Sequence, residues 1–384
     1  MSLGVFISCN EAKQVTELKK FLKTHGVKTL DSTETRQENW WDDFRKCIHQ
    51  LSICWKDDSV SESDVNDVLT TVASLVIQLP PTQSDDVIKL LCEQYLDFSG
   101  ENTRKHRSKL FSLNLLFHGL RPDDHLKCVI YVTLVLCARK LGLVSQIIYD
   151  PKKVTAWLAK CQCSVEERQN VWRILYETHS ELGETRRATE ALVYLLSTFT
   201  EATAAQARQD AIKCIISVIQ DPSLLAHDQL HTLKPIQFLE GEPVHDFFKI
   251  FVSGNLATFK TFLKSHPDFL SQNGLDEDAC LHKLRLLTLM QLSENQMELS
   301  YDAAAKELEL PLGELEPFII EAVRQRSVAC KLDQVNRRIL ITGAFPRTFG
   351  RPQWAGLRDT LIQWHTGLGK VQQSIASMIQ TETV

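Results

Sequence analysis

The sequence predicts a mostly α-helical chain: an N-terminal α-solenoid of helical repeats, then a winged helix, then a long C-terminal helix suited to a bundle. Three observations carry this. Up to about residue 295, apolar residues recur at helical spacing and no segment alternates convincingly as a strand. From about residue 275 to Ile341 the order is helix, helix, helix and β-hairpin. From Trp354 onward, large apolar residues follow one another at steps of three and four: Trp354, Leu357, Leu361, Trp364, Leu368, Val371, Ile375 and Met378. Such a series is the seam of a helix that lies against other helices. The domain division is 1–200 for the helical repeats, 201–295 for a second helical segment, 296–345 for the winged helix and 346–384 for the terminal helix.

Asn10 is placed to cap a first helix running to Gly26, with Val15, Leu18, Phe21 and Leu22 on one face. The polar stretch Thr29 to Asn39 has no apolar period and reads as a loop. Helices follow over 42–56, 62–79, 84–98 and 104–119; Ser61 caps the second and Pro80-Pro81 stops it. The next, bounded by Pro122 and Gly142, is apolar almost all round and calls for neighbours on every side. Asp150-Pro151 supplies an N-cap and a proline at the first helical position. Helices then run over 164–182, 184–199 and 202–220. Antiparallel pairs of this length stack as a solenoid, repeating in shape only, because no fixed-period consensus recurs. Shorter helices are expected at 224–231, 244–253 and 255–265.

A helix over 275–293 opens the last third, and Ser300 caps a short one to Leu310. After the turn at Pro311 and Gly313, Leu315, Phe318, Ile319, Ala322 and Val323 form a core-facing stripe, with Pro317 expected in the first turn. Val328, Cys330 and Leu332, then Ile339 and Ile341, alternate about the turn Asp333-Gln-Val-Asn336 as a hairpin.

The chain has 384 residues and a net charge of −5, so no global field draws it to nucleic acid. The charge is unevenly placed. Residues 1–100 hold sixteen acids against ten bases, whereas Ala322 to Arg351 holds seven bases (Arg324, Arg326, Lys331, Arg337, Arg338, Arg347, Arg351) and one acid, Asp333. Eleven cysteines lie scattered among apolar residues without a CxxC pair, the pattern of small apolar side chains in a reducing compartment. The segment Met1 to Ile7 predicts no secretory leader, and the longest apolar run, Val129 to Ala138, is too short to span a bilayer. A cytosolic or nuclear location is expected.

Nothing in the sequence points to catalysis. His227 and His231 share the i, i+4 spacing of a zinc-binding helix, but Asp228 stands where a metalloprotease has glutamate, and no third ligand is marked. Gly367-Leu-Gly369-Lys370 resembles part of a phosphate loop, yet Val371 replaces the magnesium-binding hydroxyl and no strand precedes it. No metal, no cofactor and no enzymatic reaction are therefore expected. His118 and His245 sit beside apolar residues as satisfied core groups would. A DNA reader meets base edges with the N-terminal half of the third helix of the winged helix. Here that half carries Glu314, Glu316 and Glu321, which repel phosphate. The seven basic residues have three possible destinations: RNA phosphate, an acidic partner, or ordinary solvation.

The seam is expected to pack on its own domain through Trp364 and to face a partner beyond it. Gly356, Gly367 and Gly369 each cost a helix about 1 kcal/mol against alanine. Leu368, Val371, Ile375 and Met378 return roughly 1.5–3 kcal/mol each only when buried. A helix so composed is stable mainly against something else.

A helical solenoid running into a winged helix and a tail helix resembles the PCI domain of proteasome-lid, signalosome and translation initiation factor 3 scaffolds. Several stretches are similar to the M subunits of eukaryotic translation initiation factor 3: Leu115-Leu-Phe-His-Gly119, Ala207-Arg-Gln-Asp-Ala211, Leu233 to Gly241, His245 to Ser253, Lys283-Leu-Arg-Leu-Leu-Thr288, Lys331-Leu-Asp-Gln334, Arg347-Thr-Phe-Gly350 and Gln353-Trp354. The resemblance is dense from about residue 203 and looser before residue 100. It implies a non-enzymatic cytoplasmic subunit that assembles with other PCI subunits. Through the complex, it implies support for recruitment of the small ribosomal subunit and mRNA, with non-specific RNA contact open. In that family winged helices associate through sheet edges and C-terminal helices gather in a bundle. A signalosome or lid scaffold, or a PCI protein contacting nucleic acid in mRNA export, shares the architecture.

Overall fold

A computed structural model describes residues 10–382 apart from 28, 29, 31–34, 58, 100–102, 148, 226 and 227. The chain divides into two compact units, Met1–Thr198 and Phe199–Val384.

The first unit is all helix among the described residues: α1 Glu11–Thr24, α2 Trp40–His49, α3 Ile53–Lys56, α4 Glu62–Ile77, α5 Pro81–Tyr95, α6 Thr103–Gly119, α7 Leu126–Leu141, α8 Pro151–Lys160, α9 Val165–Glu181 and α10 Thr185–Ser197. Side-chain caps start four of them. The Asn10 side chain accepts from Ala12 N, and Ser61 and Ser164 form reciprocal capping boxes with Asp64 and Glu167. Asp150 caps α8 ahead of Pro151. The single helix expected over 42–56 is broken at Gln50–Ser52. There Gln50 N and Leu51 N bond the carbonyls three residues back, Cys47 O and Ile48 O, and the tightened turn ends α2 before α3 restarts. Helix packs on helix (α4 on α6, α6 on α7, α7 on α9, α9 on α10), as a stack of helical pairs requires. The core runs through Phe44, Trp55 and Tyr95, and α7 is buried on most sides, as its composition demands.

Lysines enter this core to end helices. Lys105 Nζ donates to Asp57 O at 2.7 Å, just beyond α3, and Lys109 Nζ donates to Tyr95 O and Asp97 O, at the end of α5, above the Trp55 ring. Burial pushes the Lys109 ammonium down to about 8, against the pull of Asp97.

The second unit begins with helices α11 Arg208–Gln220, α12 Asp228–His231, α13 Lys234–Phe238, α14 Pro243–Ser253, α15 Leu256–Ser265, α16 Phe269–Gln272 and α17 Glu277–Asn295. Of the expected helix over 224–231, Leu224 and Leu225 are not helical, 226 and 227 lie outside the described residues and α12 covers the rest, while α13 and α16 fall outside the expected set. Pro235 in the first turn of α13 is the local reason for that helix. Phe247, Phe251, Phe259, Phe262 and Phe269 interlock within α14–α16, three of their ring pairs edge to face and two tilted. His245 is a correction: it is buried, but neither ring nitrogen has a hydrogen-bond partner, and burial lowers its pKa. His118 is exposed.

The winged helix follows: β1 Glu298–Ser300, α18 Tyr301–Leu308, α19 Leu312–Arg324, β2 Val328–Asp333 and β3 Arg338–Ala344, then the terminal helix α20 Arg351–Glu382. Ser300 caps α18 as expected. The three-residue β1 is an addition to the expected elements. It pairs antiparallel with β3 and makes a sheet of order β1-β3-β2. Because α19 begins at Leu312, Pro317 lies beyond the first turn. The carbonyl its missing N–H leaves unbonded belongs to Gly313, which is exposed to water and has no side chain.

Candidate interaction surface

The terminal helix is held at its root by a residue expected to face outward. Arg347 is 4% exposed, and its guanidinium donates to Ile250 O at 2.8 Å, Phe251 O at 3.0 Å, Gly254 O at 2.8 Å and the Gln291 side-chain oxygen at 2.9 Å. The carbonyls of Ile250, Phe251 and Gly254 lie at the end of α14, where backbone donors run out (Ile250 O also accepts from Gly254 N), and a cation is matched to that end of the dipole. Burial lowers the guanidinium to about 10, still charged at neutral pH. The clasp depends on Gly254: a Cβ there would lie 2.7 Å from Ile250 Cα. Arg347 is therefore a correction. It contacts its own unit, because the folded-back α14 terminus needs its donors. Two further contacts fix the start of α20: Gln353 donates to Glu294 at 2.7 Å, and Phe349 meets the Trp354 ring edge-on at 5.0 Å.

Past this anchor the helix leaves its own unit. Trp354 is 62% exposed and Leu368 70%, with Leu357, Leu361, Trp364, Val371 and Ile375 exposed between and beyond them. The Met378 side chain lies outside the described residues. The expectation that the seam packs internally through Trp364 is thus corrected. Arg358, Thr360 and Thr366 spend their hydrogen bonds within the helix, on Asp359, Gly356 O and Ile362 O, and so do not draw it back toward the unit.

The sheet supplies a second surface. With β1 on one flank of β3, β2 is left at the sheet edge, and its register slips at Ala329/Cys330. At its start, Val323, Arg326, Val328, Ala329 and Phe345 line a groove of about 340 Å³, with Phe345 exposed. Arg326 sits at φ +59 because α19 ends in a Schellman turn, with Arg326 N bonded to Val323 O and Ser327 N to Ala322 O.

The structure separates the basic residues. Arg338 pairs across strands with Glu298 at 3.1 Å. Arg324, Arg326, Lys331, Arg337 and Arg351 are exposed and form no ion pair among the described residues. On α19, Glu314 and Glu321 are exposed beside Ile320. Of the His227/His231 pair, His227 and the neighbouring Asp228 side chain lie outside the described residues, and among the described ones no cluster of three or more His, Cys, Asp or Glu able to hold a metal occurs. The ten described cysteines are free thiols, nine of them buried. No described helix is long and apolar enough to cross a membrane.

Comparison with known proteins meets this geometry. The PCI domain profile matches residues 263–342, and the profile "eIF3 subunit M, C-terminal helix" matches residues 347–375. That second match begins at the Arg347 clasp and covers most of the exposed seam. The chain is similar to proteins named eukaryotic translation initiation factor 3 subunit M. One from Schistosoma japonicum is 63% identical over 383 residues, covering 100% of both chains. Another from Homo sapiens is 34% identical over 381 residues, covering 99% of this chain and 100% of its own. A third from Anopheles gambiae is 33% identical over 372 residues, covering 97% and 95%.

Proposed function

Because this chain belongs to the family of eukaryotic translation initiation factor 3 subunit M, we propose that it is a scaffold subunit of that factor, joined to its other PCI-type subunits through α20 and the β2 edge. One observation carries the reading: the segment matching the family's C-terminal helix presents an unbroken apolar seam to solvent. Burying each of its side chains against a partner helix returns roughly 1.5–3 kcal/mol, and an edge strand accepts a further strand. The chain carries out no reaction of its own, works in the cytoplasm, and reaches the small ribosomal subunit and mRNA through the complex. The functional division is 1–200, 201–295, 296–345 and 346–384, with the last two as adhesive modules.

The test is affinity purification of the tagged chain from cells, wild type beside Leu368→Asp with Ile375→Asp. The wild type recovers other subunits of the factor. The double variant loses them while its helical circular dichroism and melting temperature stay unchanged. Recovery of no such subunit refutes the scaffold reading, and equal recovery by both proteins refutes the role of the seam.

A second reading rests on the unpaired cations. Arg324, Arg326, Lys331, Arg337 and Arg351 contact RNA phosphate or an acidic neighbour within the assembly. If the ligand is RNA, Arg324→Glu with Lys331→Glu lowers the slope of log affinity against log salt by about 0.7 for each phosphate that the variant no longer neutralises. No RNA affinity at low salt rejects that ligand.

A further inference from the structure

Far from the terminal helix in sequence, the first unit holds a cavity of about 570 Å³ walled by α6, α7, α8 and the residues that follow α7. Its size is that of a ligand site rather than a packing defect. Three rings build its wall: Trp157 lies 5.3 Å from Phe117 and 5.2 Å from Tyr131, and Phe117 and Tyr131 are 5.7 Å apart. Phe111, also in the lining, is 54% exposed. Each ring is braced by the others, so the hollow is preformed.

Its polar features point one way. Arg107, Lys153 and Lys160 line it, with no carboxylate in the lining, and none of the three makes an ion pair among the described residues. The helices that bear them, α6 and α8, contain no aspartate or glutamate at all. Tyr131 is 5% exposed and gives the hollow its ring rather than its hydroxyl, which is buried.

We propose that this cavity is a docking site for a short acidic peptide segment of a partner protein, which inserts one aromatic or long aliphatic side chain among Phe117, Tyr131 and Trp157. Carboxylates flanking that anchor meet Arg107, Lys153 and Lys160. A peptide fits better than single-stranded RNA. Phe117, Tyr131 and Trp157 are turned on one another instead of presenting free faces for stacked bases, and the cations flank a hollow instead of tracking a backbone.

The experiment uses the full chain and fluorescence anisotropy with labelled acidic octapeptides of Asp and Glu carrying Trp, Phe or Leu at the centre. A serine-centred octapeptide and oligouridine RNA serve as comparison probes. The proposal expects micromolar binding of at least one apolar-centred peptide and about tenfold weaker binding of the serine control. Lys153→Glu with Lys160→Glu, both at exposed positions, weakens binding by about tenfold or more. The proposal is overturned if no apolar-centred peptide binds, if the serine control binds equally, if charge reversal has no effect, or if oligouridine displaces the peptide.

Discussion

Helices α19 and α20 carry the same written signal, apolar residues at alternating steps of three and four, and meet opposite fates. In α19, Leu315, Phe318, Ile319 and Ala322 are buried within the winged helix. In α20, every described seam residue from Trp354 to Ile375 is exposed. The difference lies at the ends. Short turns bound α19 on both sides, Pro311 before it and the Arg326-Ser327 Schellman turn after it, and return the chain to the core. Among the described residues, contacts to its own unit hold α20 at its N-terminal end only. Periodicity thus announces a face but not its occupant. The contrast is broken most forcefully by cutting each stripe. Leu315→Ala should cost the isolated chain roughly 2–5 kcal/mol in urea unfolding. Leu361→Ala should stay within about 0.5 kcal/mol there and show its effect only in partner recovery. Equal losses would mean that α20 folds onto its own unit.

The same lesson holds for two arginines four positions apart. Arg351 is exposed at the first residue of α20, whereas Arg347 is enclosed by the carbonyls that end α14. Arg347→Met removes the donors and strands the Phe251 and Gly254 carbonyls, for an expected loss of about 2–4 kcal/mol. Arg351→Glu should change stability by less than about 0.5 kcal/mol. A scan of thermal unfolding across the two variants checks both.

These cases mark what the sequence makes legible. Helix starts are readable because their caps are local: Asn10, Ser61, Asp150 and Ser300 stand where the structure uses them. The seam is readable because its period persists over about seven turns. β1 is not, since three residues, Glu298–Ser300, are too few to alternate, and their strand identity comes from pairing with β3. Arg347 is not, since its acceptors lie on a distant helix and a guanidinium reads alike whether it faces water or carbonyl oxygen. The cavity of the first unit leaves a faint trace, in two basic helices without acids, but its ring wall exists only after α6, α7 and α8 meet.

Buried lysine sharpens the comparison between internal and surface cations through pH. Lys283, inside the second unit, donates to Val218 O and Asp221 O at the end of α11. Burial pushes its ammonium down to about 7, although Asp221 and Cys280 pull upward. The unfolded lysine keeps its proton to near 10.4. Above pH 7 the unfolded state therefore binds more protons, and stability rises with pH. Buried thiols reverse the trend once unfolded cysteine ionises near 8.5, since burial holds Cys280 up at about 11 and Cys214 at about 12. Between about pH 7 and 8.5 the wild type should gain at most about 1.4 kcal/mol per pH unit from Lys283. Lys283→Met should remove that slope, whatever it does to absolute stability. An unchanged slope would mean that the lysine stays charged in the fold.

The smallest effect separates two reasons for the glycines of α20. Gly367 and Gly369 flank Leu368, and a Cβ at either meets nothing within 4 Å. Alanine at each should strengthen the free helix by about 1 kcal/mol, visible as added helical circular dichroism. If the partner only needs a helix, Gly367→Ala with Gly369→Ala leaves recovery equal or better, because less ordering remains to be done on binding. If a partner backbone approaches closely at Leu368, the added methyl groups clash and recovery falls while helicity rises. Opposite movement of the two readouts would assign the glycines to the contact itself, and parallel movement would make them a brake on the helix before assembly.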